Sequence, residues 1–379
     1  MLERAVATQK QPQEENTTSS PKTHSLIASI IIGVAVFAFL LLALETISRT
    51  DWFASKVSTR SLGIYHKQFE IKWFKLEDYV KENGGVDVLL LGNSMVNTGI
   101  DPDVLSAEYE KLTGEHLRIF NFGVEGLTVA PTSVIAKILA EKYQPSAFLF
   151  VTEMRDYVAE NGLTVENQLL SDEWFRAQKT APFTLRGWLK LNSSAIKYLL
   201  PFRNWSRADF PDTFLMYLRR WGDTSASGYE GDLNTGKDID KHPDPNDPEE
   251  AENFAMFQNF SIDSGRLDDL NVILNSGDSV QMVIVTEMPL YPTYFDYFGG
   301  EKVHEQYLDT LKAFVEQKGG VYLPPLGWEL IPLDYRVDNH HLNIKGAPVF
   351  STLLAEQLAS LCNNEGLCLQ SSPVTGVEQ

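Results

Sequence analysis

The sequence predicts an α/β protein of three layers, a parallel sheet covered by helices on both faces. One N-terminal transmembrane helix precedes the sheet and a helical insertion interrupts it. Three observations carry this expectation. Short, continuous apolar runs alternate with helix-like segments, the pattern of strands buried on both faces. Residues 25–44 contain no charge. Residues 157–262 break the alternation with a stretch too long for a simple loop and of different composition.

Taken in order, residues 1–24 are polar and rich in Thr, Ser, Gln and Glu, which predicts a disordered tail. Residues 25–45 follow as the membrane helix, because about 20 apolar residues match the roughly 30 Å hydrocarbon core of a bilayer. A signal peptide has a shorter apolar region and a small-x-small cleavage site, and no clean Ala-x-Ala follows Leu44. An uncleaved anchor is therefore expected. Lys10 and Lys22 precede the helix, while Arg49, Lys56 and Arg60 follow it, so the positive-inside rule leaves orientation open. Residues 46–85, with several aromatics, read as a membrane-proximal linker.

The folded part starts with a strand at 86–91, a helix at 101–112 with Asp101 as N-cap, and a short strand at 117–120. A helix at 132–143 and a strand at 147–151 complete a first half, 86–156. A second half, 263–361, offers a helix at 264–274, a strand at 280–285, a helix at 304–317, a strand at 321–323 and a last helix at 344–361. Ser94, Gly123 and residues 153–156 each follow a strand and should share the rim where such sheets carry their sites. Between the halves, 175–220 holds nine Lys or Arg against two Asp or Glu, and 221–253 holds ten acidic residues against two Lys. This predicts a helical cap followed by a mobile acidic loop. The basic half is either a solvated helical face or a surface for anionic headgroups or an anionic polymer. Residues 362–379 read as a tail.

Composition bounds the partners. With 379 residues, 43% of them hydrophobic, the chain can build a real core, and its net charge of -19 argues against nucleic acid, which needs a basic footprint. The two cysteines, Cys362 and Cys368, form a close pair in a chain otherwise empty of Cys. That suits a disulfide in an oxidising compartment, although two free thiols, and a domain facing the cytosol, remain the alternative. Two such ligands do not make a zinc site, and no metal or cofactor is expected.

The chemistry rests on two motifs. The first strand runs into Gly92-Asn93-Ser94, a turn that can expose a serine. Far along the chain, Asp338-Asn339-His340-His341-Leu342-Asn343 sets an Asp three residues before a His. A serine hydroxyl is a weak nucleophile until a base takes its proton. His341 could serve as that base, with Asp338 fixing its tautomer. His340 is its adjacent rival. Glu287 reads as structural, and Asp334 as a less apt orienting acid.

These segments resemble the SGNH hydrolase superfamily, whose fold is flavodoxin-like. Ser94 in Gly-Asn-Ser matches the nucleophile segment, which the family more often writes Gly-Asp-Ser. Asn121-Phe122-Gly123 with Gly126 resembles the second segment, and Asp338, His341 and Leu342-Asn343-x-x-Gly346 resemble the last. The resemblance covers roughly residues 86–156 and 264–361. It extends more loosely to membrane-anchored members that acylate envelope polymers, the D-alanyl transfer protein of teichoic acids and the alginate O-acetyltransferases. It implies an extracytoplasmic serine acyltransferase or esterase with Ser94, His341 and Asp338 catalytic and Gly123 as an oxyanion donor. It also implies a membrane-bound acyl-donor partner and a polysaccharide or lipid-linked acceptor. One departure stands out. The third segment normally supplies an Asn, but here reads Val151-Thr152-Glu153-Met154-Arg155-Asp156. Arg155 either substitutes as a cationic oxyanion donor or pairs with Asp156. A domain that has lost its Asn and acts as a glycan- or partner-binding scaffold is the competing reading.

Overall fold

The computed structural model describes residues 22–178, 183–277 and 280–371. Most of the expected N-terminal tail and residues 372–379 lie outside these. The chain divides into two compact units, Met1–Val57 and Ser58–Gln379.

The first unit contains the helix Lys22–Ser48 and the short helix Asp51–Lys56, whose N-cap Thr50 accepts a hydrogen bond from the Phe53 N–H. Leu26–Ser48 is long and apolar enough to cross a membrane. Its 23 residues span about 35 Å at the α-helical rise.

The second unit is built on five parallel strands: β1 Val88–Gly92, β2 Ile119–Gly123, β3 Ala147–Thr152, β4 Met282–Glu287 and β5 Val321–Tyr322. Their order is β2-β1-β3-β4-β5. Every residue of β1, β2 and β3 is buried, so helices cover both faces and the sheet is the middle of three layers. Those helices include Pro102–Thr113, Val129–Tyr143, Ser264–Leu274, Glu301–Gln317 and Gly346–Glu365. Pro102–Thr113 shows why the local sequence folds as it does. Asp101 accepts from the N–H groups of Asp103 and Val104, Pro102 sits in the first turn, and Gly114 ends the helix in a left-handed conformation. The chain passes from β1 to β2 on one side and on to β3 on the other. The C-terminal end of β1 is therefore the topological switch point where open sheets bind ligands.

Two expected boundaries change. Residues 58–85 belong to the folded unit, not to a linker. Lys67–Asn83 is a helix that buries Phe69, Trp73 and Phe74 in the core. The apolar faces of 46–85 were legible, but not what they pack against. At the other end, the last helix runs to Glu365 and Leu369 is buried, with its N–H donating to the Tyr109 hydroxyl at 3.2 Å. Cys362 and Cys368 are disulfide-bonded.

The described residues of the insertion hold the helices Leu163–Leu170, Glu173–Gln178, Leu185–Asn192, Ser194–Leu199, Phe210–Asp223 and Pro248–Phe257. Its start is core rather than cap, since Trp174 and Phe175 pack against Phe69 at ring distances of 5.7 and 5.0 Å. The acidic stretch, expected to be mobile, is laced onto the sheet rim. Ser227 O accepts from Asn121 N at 2.8 Å, Asp232 O from Ile344 N at 2.7 Å, and Arg336 O from Gly236 N at 2.9 Å. Backbone pairing of this kind is non-local and leaves no mark in composition.

Candidate active site

Gly92 ends β1 with φ 151°, where a Cβ would lie 2.5 Å from both Val151 O and a Val96 methyl. Only glycine fits this close approach, and it turns the chain sharply. Asn93 then caps the helix Ser94–Gly99, its Oδ1 accepting from Met95 N at 2.9 Å. Ser94 is thereby held on the rim.

The partner loop arrives from the far end of the chain. An antiparallel bridge pairs Arg336 with Leu342, and the Val337 N–H donates to His341 O at 2.9 Å. Buried Arg336 anchors the loop by donating to Pro289 O at 2.8 Å and Trp328 O at 3.0 Å. Asn343 closes it, donating to Asp334 O and accepting from the N–H groups of Lys345 and Gly346 at the start of the last helix.

Between these supports Ser94 Oγ lies 2.8 Å from His341 Nε2, and His341 Nδ1 lies 2.8 Å from Asp338 Oδ2. The other carboxylate oxygen accepts from the backbone N–H groups of His340 and His341 at 2.9 and 2.7 Å. Burial pushes the Asp338 carboxyl up, but His340 and the hydrogen-bonded His341 outweigh it and hold it well below the ordinary range. The carboxylate is thus fixed in its charged form, able to accept from Nδ1–H and leave Nε2 free to take the Ser94 proton.

His340 does not reach Ser94 in this network. Its ring packs, tilted, 4.0 Å from His341 and 5.2 Å from Tyr294, and its Nδ1 meets Asn339 Oδ1 at 2.9 Å. Burial, then the neighbouring His341, push its pKa down to about 3, so it stays neutral. Asp338, His340 and His341 offer ligand atoms within 4.8 Å of one another, but both ring nitrogens of His341 are already engaged. Glu287 is bonded to His304 Nε2 at 2.6 Å, and Asp334 faces Lys345 at 3.9 Å. Neither acid joins the cluster.

The expected oxyanion donors fare differently. The Gly123 N–H is donated to Asn121 Oδ1 at 2.9 Å, so it is not open to a substrate. Gly126, with φ 70°, and Ser94 have backbone N–H groups that meet no acceptor among the described residues. Arg155 pairs with Glu153, not with Asp156: its Nη2 and Nε lie 2.8 and 3.2 Å from Glu153 Oε1. The sequence offered Arg155 as an oxyanion donor or as the partner of Asp156, and the fold gives it Glu153 instead.

Two residues that sequence reasoning passed over complete the site. Asn93 Nδ2 donates to the same Glu153 oxygen at 2.8 Å, and the Tyr294 hydroxyl donates to Glu153 Oε2. Burial pushes Glu153 up, but Arg155, then the neighbouring His340 and the Tyr294 hydroxyl, bring it below its ordinary value. Next to it, burial and the Glu153 charge push Asp156 up to about 8. An Asp at position 93 would set two carboxylates against each other here. An Asn directly before the nucleophile, at a helix start, was the available signal for its capping role. A cleft of about 500 Å³ adjoins the loop, lined by Arg155, Lys237, His242, Asp244, Tyr294, Tyr297, Asp338 and His340 among others.

No family model matches this chain, and no curated protein matches it in sequence. Solved structures do match. One is LAE5, an α/β hydrolase enzyme from the metagenome of Lake Arreo, Spain, with 14% identity over 72% of this chain and 95% of that chain, at a TM-score of 0.32. Another is a catalytic mutant of Axe2, an acetylxylan esterase from Geobacillus stearothermophilus, with 11% identity over 76% of this chain and 98% of that one, also at a TM-score of 0.32. Likenesses this distant carry no function across.

Proposed function

We propose that this chain is a membrane-anchored serine esterase or acyltransferase of SGNH type, acting on O-acyl groups of an extracellular or envelope polysaccharide. The carrying observation is the unbroken chain from Ser94 Oγ through His341 to Asp338, each link 2.8 Å long. Ser94 attacks the acyl carbonyl while His341 takes its proton. The tetrahedral oxyanion is met by the N–H group of Ser94. His341 then returns the proton to the leaving oxygen, leaving an acyl-Ser94 ester. Water or an acceptor hydroxyl, deprotonated by His341, resolves that ester. The polar cleft beside the loop, with acids, cations and Tyr297, suits a hydroxylated acceptor better than an acyl chain. The disulfide favours an oxidising, extracytoplasmic compartment. A membrane-bound acyl donor would supply the acyl group in the transferase variant.

The second reading, a binding scaffold without turnover, draws on the third segment. No Asn stands there, and the Arg155 guanidinium is committed to Glu153. Losing one oxyanion donor costs about 10²–10³ in rate. Labelling the full chain with a fluorophosphonate probe decides between them. Ser94 should be the labelled residue, and Ser94→Ala should abolish labelling. Wild-type protein inert to the probe and to activated esters would leave the scaffold reading.

A further inference from the structure

The insertion carries a feature that the catalytic reading does not use. Of the six exposed aromatic residues among the described residues of the folded unit, four lie between 183 and 205: Phe183, Trp188, Phe202 and Trp205. Trp205 is 74% exposed, and Met216 on the following helix is 70% exposed. Large apolar groups left in water at this density mark an interaction surface. Residues 175–220 are also strongly basic in a chain of net charge -19, so the face is set apart by charge as well.

The same face contains a cavity of about 370 Å³. Its walls are aromatic, with Tyr65, Phe210, Phe214 and Tyr217 among them, and Lys67, Arg203 and Arg207 stand around it. Arg207 is paired with Asp209 at 3.0 Å, while the Arg203 guanidinium donates to Ser61 Oγ and Ile64 O. Exposed Phe202 packs, tilted, against Phe214 at 5.0 Å, which joins the outer apolar surface to the cavity wall. Lys67 Nζ lies 3.9 Å from Glu70 Oε1, with Arg203 and Lys190 as like charges farther out. Burial lowers its pKa, Glu70 opposes this, and Arg203 and Lys190 lower it further. An anion in the cavity would relieve that crowding.

The occupant follows from the tether. The membrane-spanning candidate ends at Ser48 and the folded unit begins at Ser58. Nine residues, 49–57, lie between, and fully extended they reach at most about 30 Å. Aromatic and aliphatic side chains interleaved with cations are what an interfacial surface requires.

We propose that this face docks on the lipid surface and that the cavity ringed by Lys67, Arg203 and Arg207 takes the phosphate of an anionic lipid headgroup. The aromatic walls receive the glycerol and the first methylenes of the acyl chains.

The test uses the full chain in neutral detergent, titrated with short-chain phosphatidylglycerol and followed by tryptophan fluorescence. Short-chain phosphatidylcholine and inorganic phosphate serve as separate arms. Lys67→Gln with Arg207→Gln should raise the phosphatidylglycerol midpoint about 25-fold, from about fivefold per cation at an anionic surface. Trp205→Asp with Met216→Asp alters only exposed side chains. In nanodiscs containing phosphatidylglycerol it should abolish the slowing of amide exchange at 199–216 that wild type gains there. Ser94→Ala should behave as wild type in both assays, which separates this surface from catalysis. Equal midpoints for the two lipids, an unchanged midpoint in the cation variant, or unaltered exchange in nanodiscs would each overturn the proposal. Saturation by inorganic phosphate at the lipid's own midpoint would also overturn it, because the cavity would then be an anion site and not a docking face.

Discussion

Asp338→Asn tests the triad geometry more sharply than removal of the nucleophile does. Asp338 uses both oxygens: one accepts from His341 Nδ1–H, and the other accepts two backbone N–H groups. An Asn in its place has two orientations. With its oxygen toward Nδ1, its amide nitrogen faces the two backbone donors, which then lose their acceptor at about 1–3 kcal/mol each. With its oxygen kept on the backbone donors, its NH₂ meets Nδ1. That forces the ring proton onto Nε2, so the ring faces Ser94 as a donor and cannot take its proton. The second orientation is favoured, and the fold survives with the wrong tautomer. A loss of about 10⁴ in acyl-enzyme formation follows, equal to about 5.5 kcal/mol of barrier. The assay is the second-order rate of fluorophosphonate labelling, with thermal unfolding as a control for folding. His340→Ala, which removes a packed and neutral ring, should leave the labelled residue unchanged. Asp338→Asn retaining wild-type labelling within about tenfold would refute the reasoning, since His341 would then owe its tautomer to something else.

Three further outcomes follow from the same structure. Asp156 has its carboxyl pushed up to about 8 by burial and the Glu153 charge, so between the ordinary carboxylate range and that value the native state holds a proton the unfolded chain has released. Wild-type stability should therefore fall as pH rises across this window, and urea midpoints of Asp156→Asn should be flatter; parallel curves would contradict it. Gly92→Ala combines positive φ with a Cβ placed 2.5 Å from backbone, costing about 1–3 kcal/mol in strain and a similar amount in overpacking, so soluble yield and melting temperature should both drop. Cys362→Ser opens a loop closed over a separation of six residues and should cost about 2 kcal/mol, read from denaturant midpoints in oxidised and reduced protein.

Sequence alone determined the elements whose signal is local. The strands expected at 86–91, 117–120 and 147–151 overlap those observed at 88–92, 119–123 and 147–152, because a strand covered on both faces is largely an apolar run. The helix Ser264–Leu274 was legible in both boundaries, and Asp101 was legible as a cap. Ser94, Asp338 and His341 stood out because turn chemistry and a three-residue spacing lie within single short segments. Tertiary structure decided whatever depends on which groups meet across the chain. Gly123 looked like a donor, but Asn121 takes its N–H. Arg155 stood between two acids, and the turn after β3 gives it Glu153. Asn93 meets that same carboxylate 60 residues away and thereby ties the nucleophile turn to the third strand. The helix Lys67–Asn83 and the acidic stretch around Ser227 looked peripheral, but their partners on the sheet make them part of the body. The physical reason is common to these cases. Burial patterns are written residue by residue, whereas a hydrogen-bond donor is open or closed only according to what the fold sets against it.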